Sequence, residues 1–259
     1  MFQFFLLNIF LKITRMTNQL YKPFDYKNNE PIIISSHNIS LTLDRKLILD
    51  KLTFKTKSNK ISFLMGPNGA GKTLCLKIIS GITKPSEGNI LFSKKVRIGY
   101  VPQKVTFLRR SIYDNLVYVM KLYGFSRNQI KKRILTILSL TQFESEMNIS
   151  ARKISIGKQQ LLAIIRALII KPNLLLLDEP CSNLDPSYTL LIEEILKKAS
   201  KQGVKILLVT HDLFQARRLS EEIIFINKGS LVEQSQKKEF FEKPQSRIAK
   251  DYISGKLPG

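Results

Sequence analysis

The chain has 259 residues, 44% of them hydrophobic, which is enough to bury a sizeable core in one large domain or two small ones. Two cysteines without a pairing pattern exclude a disulfide framework and fit a reducing compartment. The net charge of +22 raises nucleic-acid binding as a function, but no RRM, KH, helix-turn-helix or zinc pattern accompanies it and no nucleic-acid partner is expected. The lysines are scattered along the chain. A lysine-, isoleucine- and asparagine-rich composition produces that bias, and a basic surface also suits docking near an anionic inner leaflet.

Residues 1–31 read as an N-terminal extension. Met1 to Leu11 is almost wholly apolar, yet too short to span a bilayer. It lacks a leading basic region and a small-residue cleavage site, so it is a poor signal peptide. A start at Met16 is one reading; a short membrane-touching segment is another.

From residue 32 the pattern is of short strands: Ile32–Ile34, Ile39–Leu43, Leu52–Lys55 and Ile61–Met65. The last is followed by Gly66-Pro67-Asn68-Gly69-Ala70-Gly71-Lys72-Thr73, the G-x-x-x-x-G-K-T spacing of a phosphate-cradling P-loop. A helical pattern (Leu74, Leu76, Ile78, Ile79) runs from it to Gly81 and Pro85. The strand–loop–helix context separates this stretch from an ordinary Gly-rich turn. Glycines let backbone N–H groups approach phosphate oxygens, and the helix adds its positive end. Lys72 reaches toward the β- and γ-phosphates and the Thr73 hydroxyl is a ligand for Mg²⁺. The candidate nucleotide-binding stretch is therefore Gly66 to Leu74, with Cys75 behind it as a small packing residue.

Strands recur at Gly88–Phe92 and Val96–Val101. From Ser111 to Gln142 apolar residues fall at helical spacing (Ile112, Leu116, Val119, Met120, Ile130, Ile134, Leu138), with Ser111 and Asp114 as a capping pair. This predicts a helical insert over about 104–170 that forms its own subdomain. Alternation of strand and helix then resumes. Leu174–Leu177 is a four-leucine run suited to a buried parallel strand. It ends in Asp178-Glu179-Pro180, with Cys181 beyond as a second small packing residue. An acid at that place holds Mg²⁺, and the next one acts on the attacking water. A helix (Leu190, Leu191, Ile195, Leu196), strand Val204–Val209, helix Leu213–Leu219 and a hairpin around Asn227-Lys228-Gly229 complete the pattern, before a short helical tail from Lys237.

With these elements in this order, the chain resembles the ATP-binding cassette subunit of ABC transporters from about residue 32 to 259. The family's Q-loop glutamine maps to Gln103 in Tyr100-Val101-Pro102-Gln103. Its signature loop maps to Ile154-Ser155-Ile156-Gly157-Lys158, its D-loop to Ser182-Asn183-Leu184-Asp185, and its switch histidine to His211. The resemblance implies an α/β fold: a P-loop NTPase core with an antiparallel β subdomain and a helical insert. It implies ATP and Mg²⁺ as cofactors, and a second copy that pairs head to tail to sandwich two ATPs. In that arrangement Thr73, Gln103 and Asp178 are the metal ligands. Lys72, Gln103, Glu179 and His211 act on the γ-phosphate and the water. Ser155 and Gly157 cover the partner's phosphate, and Asp185 links the two sites. Permease subunits and, indirectly, a periplasmic solute-binding protein are the further partners, and the place of work is the cytoplasmic face of the inner membrane.

The chain departs from the family pattern in three places. Ile156 and Lys158 stand in the signature loop where the family has glycine and glutamine, which predicts crowding at the phosphate and slow hydrolysis. Leu43 stands where an adenine-stacking aromatic is usual, which predicts weak discrimination between ATP and GTP. Lys60 precedes the P-loop strand in place of a glycine–glutamate pair. Within the family, Thr210–Leu219, Phe240-Phe241-Glu242-Lys243-Pro244 and Ile253–Leu257 are similar to oxyanion importers, above all the tungstate-uptake type. Phosphate importers share much of that pattern. A soluble ABC ATPase and an exporter cassette remain as alternatives of other classes.

Overall fold

The computed structural model describes residues 33–56 and 61–256. The N-terminal extension, Ile32 and Lys60 lie outside the described residues. Two sheets organise the fold. The smaller is antiparallel and contains β1 (Ile34–Leu43), β2 (Lys46–Lys55) and β4 (Glu87–Phe92), in the order β2-β1-β4. The larger contains β3 (Ile61–Met65), β5 (Ile98–Val101), β6 (Leu174–Asp178), β7 (Lys205–Val209), β8 (Glu222–Asn227) and β9 (Ser230–Gln236). Its order is β5-β6-β7-β3-β8-β9, parallel except for the β8–β9 hairpin.

The first two strands are longer than their sequence suggests. Ile39–Leu43 and Leu52–Lys55 are the ends of two ten-residue strands. Register irregularities between Ser36 and Ile39, and again between Ile39 and Thr42, interrupt the alternation that marks a strand in sequence.

Period-two alternation divides the parallel strands between two cores. Phe63, Leu175, Leu177, Ile206, Leu208, Ile223 and Phe225 face one side. Leu64, Leu174, Leu176, Leu207, Val209, Ile224 and Ile226 face the other. This explains the unbroken apolar run at Leu174–Leu177: neither face of β6 meets water. The second core is closed by the small sheet and by α1 (Lys72–Ile79), which begins at Gly71.

The first core is covered by α2 (Ile112–Leu122), α3 (Arg127–Ser139) and α4 (Ile156–Ile169), together with α5 (Pro186–Lys201), α6 (Leu213–Leu219), α7 (Lys237–Glu242) and α8 (Arg247–Ile253). The expected Ser111 cap forms: its side chain accepts from the Asp114 backbone N–H. The single helical rhythm over 111–142 is two helices, broken at Gly124 (φ 76°) and restarted by a capping box at Ser126 and Gln129. Ile112, Leu116, Met120, Ile130, Ile134 and Leu138 are all buried between them.

Candidate nucleotide site

Three loops leave the C-terminal ends of β3, β6 and β7, and they carry most of the candidate residues. In an open parallel sheet this is where ligands bind. The loop after β3 is Gly66–Gly71. A Cβ on Gly66 would stand 2.0 Å from the Ile226 carbonyl oxygen, so no other residue fits there without moving β8. Lys72, buried, donates through Nζ to the carbonyls of Gly66 and Pro67, both at 2.7 Å. Its ammonium rests inside the curve of the loop. Burial lowers the Lys72 pKa, and the carboxylates of Glu179 and Asp178 oppose that shift.

Next in the helix, Thr73 donates its hydroxyl to Asp178 Oδ1 at 3.2 Å. Asp178 is 1% exposed at the end of β6. Burial raises its pKa; the Thr73 hydrogen bond pulls it down, Glu179 pushes it up again, and Lys77 and Lys72 lower it. A hydroxyl and a carboxylate at this distance are hard oxygen donors of the kind Mg²⁺ takes alongside nucleotide phosphates. Among the described residues no group of three or more His, Cys, Asp or Glu gathers as a metal cluster.

Glu179 has φ 47°, the left-handed region that non-glycine residues seldom adopt. Its N–H donates to the Val209 carbonyl at 2.9 Å, so the turn is pinned to the end of β7. The side chain then points between two others. Gln103 Nε2 donates to Glu179 Oε2 at 3.1 Å. His211 Nδ1 lies 3.0 Å from Glu179 Oε1; against an acceptor-only carboxylate it is the N–H. Strained backbone at a point of chemistry is a recurring feature of functional sites.

Lys72, Thr73, Gln103, Asp178, Glu179 and His211 are thus one connected group, drawn from four segments. Ser155, Gly157 and Asp185 bond locally, within their own helices. Ser155 is the N-cap of α4, accepting from the Lys158 N–H. Asp185 caps α5, accepting from the N–H groups of Ser187 and Tyr188. These bonds, the Ser187 hydroxyl first among them, hold the Asp185 carboxyl below its ordinary pKa. Among the described residues, no hydrogen bond joins Ser155, Gly157 or Asp185 to the P-loop group. Ile156 is 73% exposed, and Lys158 forms an ion pair with Glu146 at 2.6 Å. Leu43 is 42% exposed in the β1–β2 hairpin. Both cysteine thiols are pushed up to about 12 by burial, in keeping with packing roles.

Two neighbours of these loops are not legible as site residues in the sequence. Tyr188 packs on Gly157, and its only sequence mark is an aromatic ring one turn into a helix. Glu193, buried in α5, accepts from Arg218 Nη2 at 2.8 Å and Nε at 3.2 Å, so it straps α5 to α6.

The family model described as ABC transporter matches residues 49–182. The tungstate uptake system ATP-binding protein of Peptoclostridium acidaminophilum is 38% identical over 207 residues, covering 77% of this chain and 97% of that one. The phosphate import ATP-binding protein of Thermotoga maritima is 34% identical over 251 residues, covering 88% and 99%. Among solved structures, an ATP-binding subunit of an ABC transporter superposes with a TM-score of 0.75 at 22% identity, over 86% of this chain and 98% of that one. With a P-loop, an acidic pair at a strand end and these relatives spanning nearly their whole length, the chain belongs to the ABC transporter family, as an ATP-binding and ATP-hydrolysing cassette.

Proposed function

We propose that this cassette energises an importer of an oxyanion, tungstate, from the cytoplasmic face of the inner membrane. It works as a homodimer beneath permease subunits that receive solute from a periplasmic binding protein. The observation that carries the ATPase mechanism is the convergence of Gln103 and His211 on the two oxygens of Glu179, beside Lys72 and the Thr73–Asp178 pair.

The residues divide the work of phosphoryl transfer. Backbone N–H groups over Gly66–Leu74, through Pro67, Asn68, Gly69, Ala70 and Gly71, cradle the phosphates. Lys72 exchanges its two carbonyl partners for β- and γ-phosphate oxygens. Thr73, Asp178 and Gln103 would hold Mg²⁺, which when bound would supply neutralisation of the phosphate charge. Glu179 accepts a hydrogen bond from the attacking water. As the new P–O bond forms and the γ-phosphate leaves ADP, that carboxylate takes the proton. His211 swings from Glu179 to the γ-phosphate and fixes it for in-line attack. Ser155 and Gly157 of a second copy close the site, and Asp185 joins the two sites. The helical insert over about 104–170 carries the signature turn and follows Gln103. A groove of about 320 Å³ lined by Ile82, Tyr100, Val119, Tyr123 and Arg166 is a candidate seat for the permease. No helix among the described residues is long and apolar enough to cross a membrane.

Identity to the tungstate-uptake relative supports tungstate as solute. Phosphate is the second reading, favoured by the larger share of the chain that the phosphate-import relative covers. Uptake of tungstate, molybdate and phosphate in cells lacking this subunit tests both. Loss of tungstate uptake alone is the expected result. Loss of phosphate uptake alone replaces the first reading by the second, and unchanged uptake of all three removes the oxyanion importer.

A further inference from the structure

Gly157 lies inside a right-handed helix, so its backbone conformation does not call for glycine. Space does. A Cβ there would stand 2.8 Å from Tyr188 Cδ2 and 3.0 Å from Cε2 and Cγ, closer than a methyl group and a ring tolerate. The ring belongs to the helix that Asp185 caps. It is held from three directions. The Tyr188 backbone N–H donates to Asp185 Oδ1 at 3.1 Å, the ring rests on Gly157, and its hydroxyl accepts from Gln142 Nε2 at 3.1 Å. On the other side of Gly157, Lys158 is tied to Glu146 at 2.6 Å. The N-terminal turn of α4 is therefore braced by Tyr188 of α5 and by the 142–146 segment, in one chain.

We infer that Tyr188 is a positioning residue that couples Asp185 to the Ser155–Gly157 turn within each protomer. Gly157 is a glycine because the Tyr188 ring occupies its Cβ position. Any displacement of the Asp185 loop carries the ring, and the ring carries the first turn of α4. The loop that would join the two sites and the turn that would close the partner's site thus move as one body. This rests on the reading that Ser155 and Gly157 close the partner's ATP site.

Full-length Gly157→Ala, Tyr188→Ser, Tyr188→Phe, the Gly157→Ala/Tyr188→Ser double variant and Ser155→Ala test it. The readouts are steady-state kcat and KM for ATP, binding of a fluorescent ATP analogue, and the thermal midpoint. Gly157→Ala should lower kcat by about tenfold or more, because the displaced turn misplaces its contacts. Analogue binding should be unchanged, since the protomer's own P-loop is untouched. The double variant should recover kcat to about the level of Tyr188→Ser alone. Tyr188→Phe, which keeps the ring and loses only the Gln142 bond, should lower kcat a few-fold at constant KM. Equal loss in Gly157→Ala and the double variant overturns the coupling. So does a lowered thermal midpoint in Tyr188→Phe and Tyr188→Ser with kcat unchanged, which marks plain packing. Wild-type kcat in Ser155→Ala instead removes the underlying reading of the turn, whatever the Tyr188 variants do.

Discussion

Asp178 stands at the end of a strand whose neighbours are all apolar, and its carboxylate is paired with one hydroxyl. Burial raises its folded pKa above the unfolded value. In the window between those two values the native state binds the extra proton. Stability then falls as pH rises through the window, and the cost persists at neutral pH while the nucleotide is absent. Asp178→Asn should raise the thermal midpoint of the nucleotide-free protein at neutral pH and flatten its dependence over the acid range, while abolishing hydrolysis. Melting curves between acid and neutral pH check this; a variant that melts lower at neutral pH contradicts it. Ile156 is a departure of the opposite kind. Its side chain costs the isolated chain little, being 73% exposed on the first turn of α4. Under the proposed head-to-tail dimer its effect belongs to the closed state, where backbone would approach phosphate. Ile156→Gly should raise kcat several-fold, against a small loss of helix stability of about 1 kcal/mol. An ATPase assay without a gain counts against crowding.

Elements differ in how openly the sequence shows them. The P-loop strand and helix carry their own start and stop, and Leu174–Leu177 is legible because a fully buried strand needs both faces apolar. The small sheet is less so, since irregular register hides the alternation of β1. The strap between α5 and α6 is invisible in sequence, because Glu193 and Arg218 are far apart in the chain and look like two ordinary surface charges. In the fold Glu193 is 1% exposed and Arg218 45% exposed. Glu193→Ala should destabilise by about 1–2 kcal/mol, below the range for fully buried pairs because Arg218 regains water. Glu193→Leu, which refills the space, should recover much of that. Denaturant titration of both variants distinguishes them: equal loss in the two places the cost in the missing charge rather than in the void.

At the scale of the molecule, the candidate residues fall into two sets. The sequence and its family resemblance group the P-loop, the acids, Gln103 and His211 as candidates, and the hydrogen bonds Thr73–Asp178, Gln103–Glu179 and Glu179–His211 link members of that group in the fold. What a linear reading does not supply is that Ser155, Gly157 and Asp185 share no hydrogen bond with that group among the described residues, which depends on how α4 and α5 pack on the sheet. Within one protomer those three residues are bonded to their own helices. If the proposed site is completed by a second copy, the nucleotide is the bridge between the two halves. Slowing the chemistry should therefore reveal the pair. Glu179→Gln retains an oxygen for His211 but is a poor proton acceptor, and kcat should fall by at least about a hundredfold. With ATP bound and hydrolysis blocked, the variant should elute at twice the mass of the nucleotide-free chain. ADP should leave it at single mass, because the γ-phosphate that the partner's helix N-terminus faces is gone. A single-mass peak with ATP, under conditions where the analogue is bound, would mean that each protomer completes its site alone. The lack of hydrogen bonds, among the described residues, between Ser155 or Gly157 and the P-loop group would then need another explanation.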